Sequence, residues 1–266
     1  MHIPDGYLGP TTWITFFLVM LVLWFFAFRN ANRNLGPRNV PMLSFMAALS
    51  FIIMMFNLPI PDGTTAHMIG AVLIAIVLGP YGAIVALSIA LLIQALLFGD
   101  GGVTAYAANV FNMGVVMPFT GILVYIVTRR ALGQTTSAKR AVAAFAAGYV
   151  GIVMAALATA VEFGLQPTLS PGYAPYGMGL AIPAMVGAHL IVGVVEGLTT
   201  AIVIYYLSEN RADLLNLPKF CPRWLGRWME QVPEDVPKAP RNVDAGAGPD
   251  RARKGITLWR KSGWPR

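Results

Sequence analysis

The residues with the most evident chemistry are the first two, Met1 and His2, at the head of the stretch MHIPDGYLGP. No apolar run precedes them, so the sequence predicts no secretory signal peptide. A side chain as large as His at position 2 also predicts that Met1 is kept, with a free α-amine. The amine of Met1, the backbone amide nitrogen of His2 and the His2 imidazole can then close adjacent chelate rings around one metal ion. One more imidazole would complete four nitrogen ligands, and a square-planar or tetragonal nitrogen set suits Ni(II) or Cu(II). Two further histidines, His67 and His189, are available. The plainer reading of His2 is a frayed terminal residue.

Other polar groups stand inside apolar stretches. His189 and Glu196 are seven residues apart in the last apolar run, so on a helix they share a face about 10 Å apart. Ionisable groups in a span are costly and are candidates for function. The plainer readings are a core histidine hydrogen-bonded between helices and, for Glu196, a structural clamp onto a backbone or side-chain donor, since a buried carboxylate needs a partner. Asn109 and Asn112, three apart, share a face and could simply hydrogen-bond across helices.

The elements that position these groups are those of a membrane protein. Of 266 residues 56% are hydrophobic and only 12% charged, about half the charged fraction of soluble domains. Mean hydropathy is +0.63. Apolar runs recur at about 11–28, 40–57, 66–78, 80–98, 104–128, 141–165 and 177–207, and a span needs roughly 20 residues. The pattern predicts seven transmembrane helices, the third short and beginning inside the membrane after the outer loop near 58–66, which reads as a plug. Small-residue pairs such as Ala71/Ala75, Ala86/Ala90 and Ala156/Ala160 permit close helix packing.

Charge placement sets the orientation. Arg29, Arg33 and Arg38 follow the first run, and Arg129, Arg130, Lys139 and Arg140 follow the fifth. The loops near 58–66, 99–103 and 166–177 hold no Lys or Arg. Basic loops stay inside, so the N-terminus is predicted outside and the C-terminus inside, with Met1, the 58–66 loop and Gly99-Asp100-Gly101-Gly102 on one outer side. Twelve of the 19 basic residues lie after Leu207. A net charge of +7 placed in this way is a topology signal rather than a nucleic-acid-binding face. Residues 208–266, with seven Pro and with Trp224, Trp228, Trp259 and Trp264, read as a basic, partly disordered cytoplasmic tail separate from a membrane domain over 1–207. The single Cys221 excludes an internal disulfide framework. No GxxxxGK[ST], HExxH or GxSxG occurs, which argues against P-loop ATP hydrolysis in this chain and against metalloprotease or serine-hydrolase chemistry.

MHIPDGYLGP, GTTAHMIGAVL at 63–73, GDGGVTAYAANVFNMG at 99–114 and GAHLIVGVVEGLTTA at 187–201, in this order and spacing, resemble the nickel/cobalt substrate-binding (M-type) S component of energy-coupling factor (ECF) transporters. The resemblance covers roughly 1–207. It implies an all-α, seven-span S-component bundle in the cell (plasma or inner) membrane, with its N-terminus tucked into the centre from outside. It implies that the Met1 amine, the His2 amide and imidazole and the His67 imidazole bind the transported Ni(II) or Co(II), with no catalytic residue and no organic cofactor. The PDG after His2 is more similar to nickel members. Implied partners are a transmembrane coupling protein, two cytoplasmic ABC-type ATPases and a small accessory membrane protein. A cation held by a deprotonated amide needs acceptors around it to orient the imidazoles; Asp5, Asp62 and Asn109 are the expected ones, with His189 and Glu196 as further candidates. Two other readings stay open: an intramembrane zinc enzyme using His67, His189 and Glu196, and a stand-alone metal channel or exchanger.

Overall fold

The computed structural model describes residues 1–34, 39–60, 64–133, 136–174, 176–215 and 220–230. Helix α1 (Pro10–Asn34) and α2 (Asn39–Met54) lead to a hairpin of β1 (Leu58–Ile60) and β2 (Thr64–Ala66). Its antiparallel register pairs Leu58 with Ala66 and Ile60 with Thr64. Then come α3 (Ala71–Leu78), α4 (Pro80–Ile93), α5 (Tyr106–Val110), α6 (Met117–Leu132), α7 (Ser137–Leu169), α8 (Met178–Asn210), α9 (Ala212–Leu215) and α10 (Arg223–Glu230). Wider π-type turns over Gln94–Phe98 and Phe111–Val116 extend α4 and join α5 to α6.

Among the described residues, five helical stretches are long and apolar enough to cross a membrane: Pro10–Arg33, Pro80–Phe98, Tyr106–Leu132, Ser137–Leu169 and Met178–Asn210. The chain is therefore a multi-pass membrane protein by helix length and composition. Two of the seven expected spans fall short: α2 has 16 residues and α3 only eight. The cause in α3 is local. Residues 67–70, the first part of that apolar run, are not helical, and every residue of α3 is buried. Irregular backbone of this kind is tolerated where protein surrounds it.

Small residues let the long helices touch. A Cβ on Gly148 of α7 would stand 3.1 Å from the Cα of Gly197 in α8, and Ala71, Ala75, Ala86, Ala156 and Ala160 are all wholly buried, so these pairs face the inside of the bundle. The expected domain boundary at 207 lies three residues before the end of α8. Phe220 is wholly buried. Its N–H donates to the Leu78 carbonyl (2.6 Å), and its carbonyl accepts from Tyr81 N–H (2.8 Å). Gly79 makes room for this pairing: its φ is +88°, and a Cβ there would meet the Phe220 oxygen at 2.6 Å.

Candidate metal centre

The first nine residues form a non-helical strap, turning at Asp5-Gly6, that is held to the bundle by polar contacts. The Met1 amine donates to the Thr65 carbonyl in β2 and lies 3.4 Å from Thr65 Oγ1. Ile3 N–H donates to Asn109 Oδ1 (2.8 Å), Asn109 Nδ2 donates to the Ile3 carbonyl (3.1 Å), and Gly102 N–H donates to the same carbonyl (2.8 Å). The Asp5 carboxylate accepts from Val103 N–H (3.1 Å), from Thr104 N–H (2.8 Å) and from the Thr104 hydroxyl. Gly9 N–H donates to Gln166 Oε1 (2.9 Å). Close approach of strap and loop needs glycine: a Cβ on Gly102 would stand 2.5 Å from Asp5 N.

The strap carries Met1 and His2 into the interior, where they are 0% and 4% exposed. The rings of His2 and His67 stack with centroids 4.5 Å apart and an interplanar angle of 22°. His2 Nε2 lies 3.3 Å from Gln94 Oε1, and His2 Nδ1 lies 3.1 Å from Asp100 Oδ1. Asp100 Oδ2 accepts from Asn57 Nδ2 (3.0 Å). His67 Nδ1 donates to the Met68 carbonyl (3.0 Å), so its Nε2 carries a lone pair. That nitrogen is buried and meets no donor among the described residues.

His189, wholly buried in α8, is arranged alike. Its Nδ1 donates to the Met185 carbonyl (2.7 Å), and its Nε2 meets no partner among the described residues.

The electrostatics favour neutral nitrogen donors. Burial pushes the Met1 amine down to about 4, against the pull of the Asp100 carboxylate. Burial also lowers the His2 imidazole despite its contacts with Asp100 and Gln94. His67 is held well below its usual range by burial and then by the neighbouring amine and His2. For Asp100, burial acts upward, but the hydrogen bond and charge of His2 and the Asn57 amide outweigh it and leave the carboxyl lowered. Asp5 is lowered too, since the Thr104 and Val103 donors outweigh its partial desolvation.

Several expected roles change. Asp5 and Asn109 fix the strap, Asp5 through Val103 and Thr104 and Asn109 through the Ile3 backbone. Their amide partners sit at the 99–105 loop and at Ile3, which the sequence does not bring together. Asp62 lies outside the described residues. Glu196, wholly buried, accepts from Ile69 N–H (2.8 Å) and Gly70 N–H (2.9 Å), so both oxygens clamp the loop behind His67. Asn112 parts from Asn109: the widened turn from Phe111 directs Asn112 Nδ2 to Glu162 Oε2 in α7 (2.8 Å). Gln94 and Asp100 are polar groups that lie against the His2 ring. Asp100 reads in sequence as part of a glycine turn, and Gln94 has no sequence signal beyond being the one amide in its apolar run. Among the described residues no three His, Cys, Asp or Glu side chains converge as a metal site. The donors gathered here include a terminal amine and a backbone amide, which are outside those four residue types.

Residues 2–214 match the family model described as the cobalt uptake substrate-specific transmembrane region. A protein of Methanocaldococcus jannaschii named for metal transport is 50% identical over 216 residues, covering 80% of this chain and 94% of that protein. A fused nickel transport protein of Rhodobacter capsulatus is 46% identical over 224 residues, which take in 81% of this chain but 64% of that longer protein. A crystal structure of a truncated transition metal transporter superposes with a TM-score of 0.73 at 47% identity, over 79% of this chain and 99% of that one.

Proposed function

The chain belongs to the cobalt uptake substrate-specific transmembrane family, and from that premise we propose that it is the metal-capturing S component of an ATP-driven ECF importer, with nickel preferred over cobalt. The observation that carries this reading is the burial, at one place, of the Met1 amine, the His2 amide and imidazole, and the unpartnered Nε2 of His67. Four neutral nitrogens, one of them an amide that loses its proton on binding, suit planar Ni(II) better than Co(II). The metal is cargo: the chain holds it and does no chemistry on it. The zinc-enzyme reading loses a ligand, because both Glu196 oxygens are taken by backbone N–H groups.

Energy comes from partners in trans: a transmembrane coupling protein, two cytoplasmic ABC-type ATPases and a small accessory membrane protein. The bundle has seven helices in the cell membrane, with its N-terminus outside. Residues 1–207 make up the metal-binding domain, and the basic stretch from 208 onward is a cytoplasmic extension. Orientation is tested with single cysteines in a background lacking Cys221. Ser170→Cys should react with an impermeant thiol reagent on intact cells and Ser137→Cys should not; the reverse pattern would sink this orientation. Transport is tested with radioactive nickel in vesicles. Accumulation should need the partner ATPases and ATP. Concentrative uptake by this chain alone, without ATP or an ion gradient, would show that it is a stand-alone carrier.

A further inference from the structure

Helix α10 takes no part in the metal site, and its side chains sort into three stripes. At about 100° per residue, Arg223 and Arg227 share one stripe, Trp224 and Trp228 the next, and Leu225 and Met229 the third. The fold uses each stripe differently. Leu225 is wholly buried and Met229 packs on the core. Arg223 and Arg227 are exposed. Trp224 and Trp228 stay 45% and 44% exposed, with ring centroids 6.4 Å apart. An indole has an apolar body and one N–H donor, so it is best placed where one side is apolar and the other wet.

The ends of two spanning helices fix the depth of α10. On α1 the exposed Phe25 and Phe28 give way to the exposed Arg29 and Arg33, the change expected where hydrocarbon meets headgroups. Asn30, on that turn, donates through Nδ2 to the Cys221 carbonyl (3.3 Å). Arg130, in the last turn of α6, donates through Nη2 to the Trp228 carbonyl (2.9 Å). Its guanidinium also lies 5.3 Å from the centroid of the Trp228 ring. With Phe220 paired to Leu78 and Tyr81, the segment is joined to the bundle at both of its ends, level with the ends of the spans.

We propose that α10 is an interfacial anchor for anionic phospholipid. Trp224 and Trp228 enter the headgroup layer, while Arg223 and Arg227 meet lipid phosphates. Charge complementarity favours this partner. Arg29, Arg33, Arg130, Arg223 and Arg227 gather at this end of the bundle, whereas Arg211 and Asp213 pair with each other and leave that balance unchanged. Each basic side chain near an anionic surface adds to the attraction. An acidic protein would satisfy the arginines, but the tryptophan stripe, about a quarter-turn away and level with the span ends, fits lipid. The proposal needs only that the spans cross a bilayer. It depends neither on which side α10 faces nor on the metal.

The test uses the full chain in lipid nanodiscs, whose two leaflets are alike, with phosphatidylcholine alone or with phosphatidylglycerol added. Amide hydrogen exchange in α10 should be about thirtyfold slower with phosphatidylglycerol, roughly fivefold for each of the two arginines. Arg223→Gln/Arg227→Gln should lose that difference, while exchange in α8 stays the same throughout. Lipids brominated near the headgroup should quench the part of the fluorescence that Trp224→Phe/Trp228→Phe removes. Equal α10 exchange of the wild type in both lipids overturns the phosphate contact. Quenching of that fluorescence by aqueous iodide and not by brominated lipid overturns the anchor and assigns this face to water or to a protein partner.

Discussion

Replacing Glu196 by Ala removes the clamp behind His67. The carboxylate accepts two backbone N–H groups, from Ile69 and Gly70, at 2.8 and 2.9 Å. It is wholly buried, so water does not replace it freely. Each donor left without a partner costs about 1–3 kcal/mol, or about 2–6 kcal/mol for the pair. His67 lies two residues before Ile69, on the same non-helical segment. If the cost falls on that segment, the fraction of chains with His67 in place drops, and apparent affinity drops with it. A cost of about 2 kcal/mol corresponds to roughly thirtyfold in affinity. Glu196→Gln keeps one acceptor oxygen and should lie between. The assays are the nickel dissociation constant and hydrogen exchange of the Ile69 and Gly70 amides. Both should change together in Glu196→Ala. Unchanged affinity with fast-exchanging amides would show that the clamp does not hold the metal loop, and unchanged exchange would refute the hydrogen-bond argument itself.

One added residue before Met1 moves the amine out of chelate register and meets the buried Thr65 contact, so an N-terminally extended chain should retain almost no nickel, whereas an extension at Arg266 should leave bound nickel per chain unchanged. Elemental analysis of both forms decides this, and full occupancy in the N-terminally extended form, with no His in the extension, would mean a different ligand set. His67→Ala should weaken nickel binding by more than about a hundredfold, beyond the loss of an orienting partner, and His189→Ala by less; a larger loss in His189→Ala on calorimetric titration would exchange their roles.

The hydropathy runs, the basic loops and the three histidines were legible in the sequence, because span length, charge asymmetry and side-chain chemistry are local properties. Met1-His2 offered three candidate donor nitrogens for the same reason, as all three belong to two adjacent residues. The polar residues inside the helices were found but their partners were not. Glu196 reads as functional or as a clamp until the 67–70 segment is seen folded back onto α8. Asn109 and Asn112 share a face at 3.6 residues per turn, and the wider turn starting at Phe111 sends them to Ile3 and Glu162.

What only the tertiary structure decided is the set of contacts made across large sequence separations. Asp100 and Gln94 meet His2 from more than ninety residues away. Phe220, in a stretch with no apolar period, is buried against Leu78 and Tyr81 because Gly79 leaves space for its backbone. A periodic pattern shows which face of a helix turns inward. It does not show which buried donor meets which acceptor, since that depends on where separate helices cross. The sequence alone therefore determined the membrane class and offered Met1, His2 and His67 as candidate donors, while the helix crossings determined how the His2 and His67 imidazoles are held.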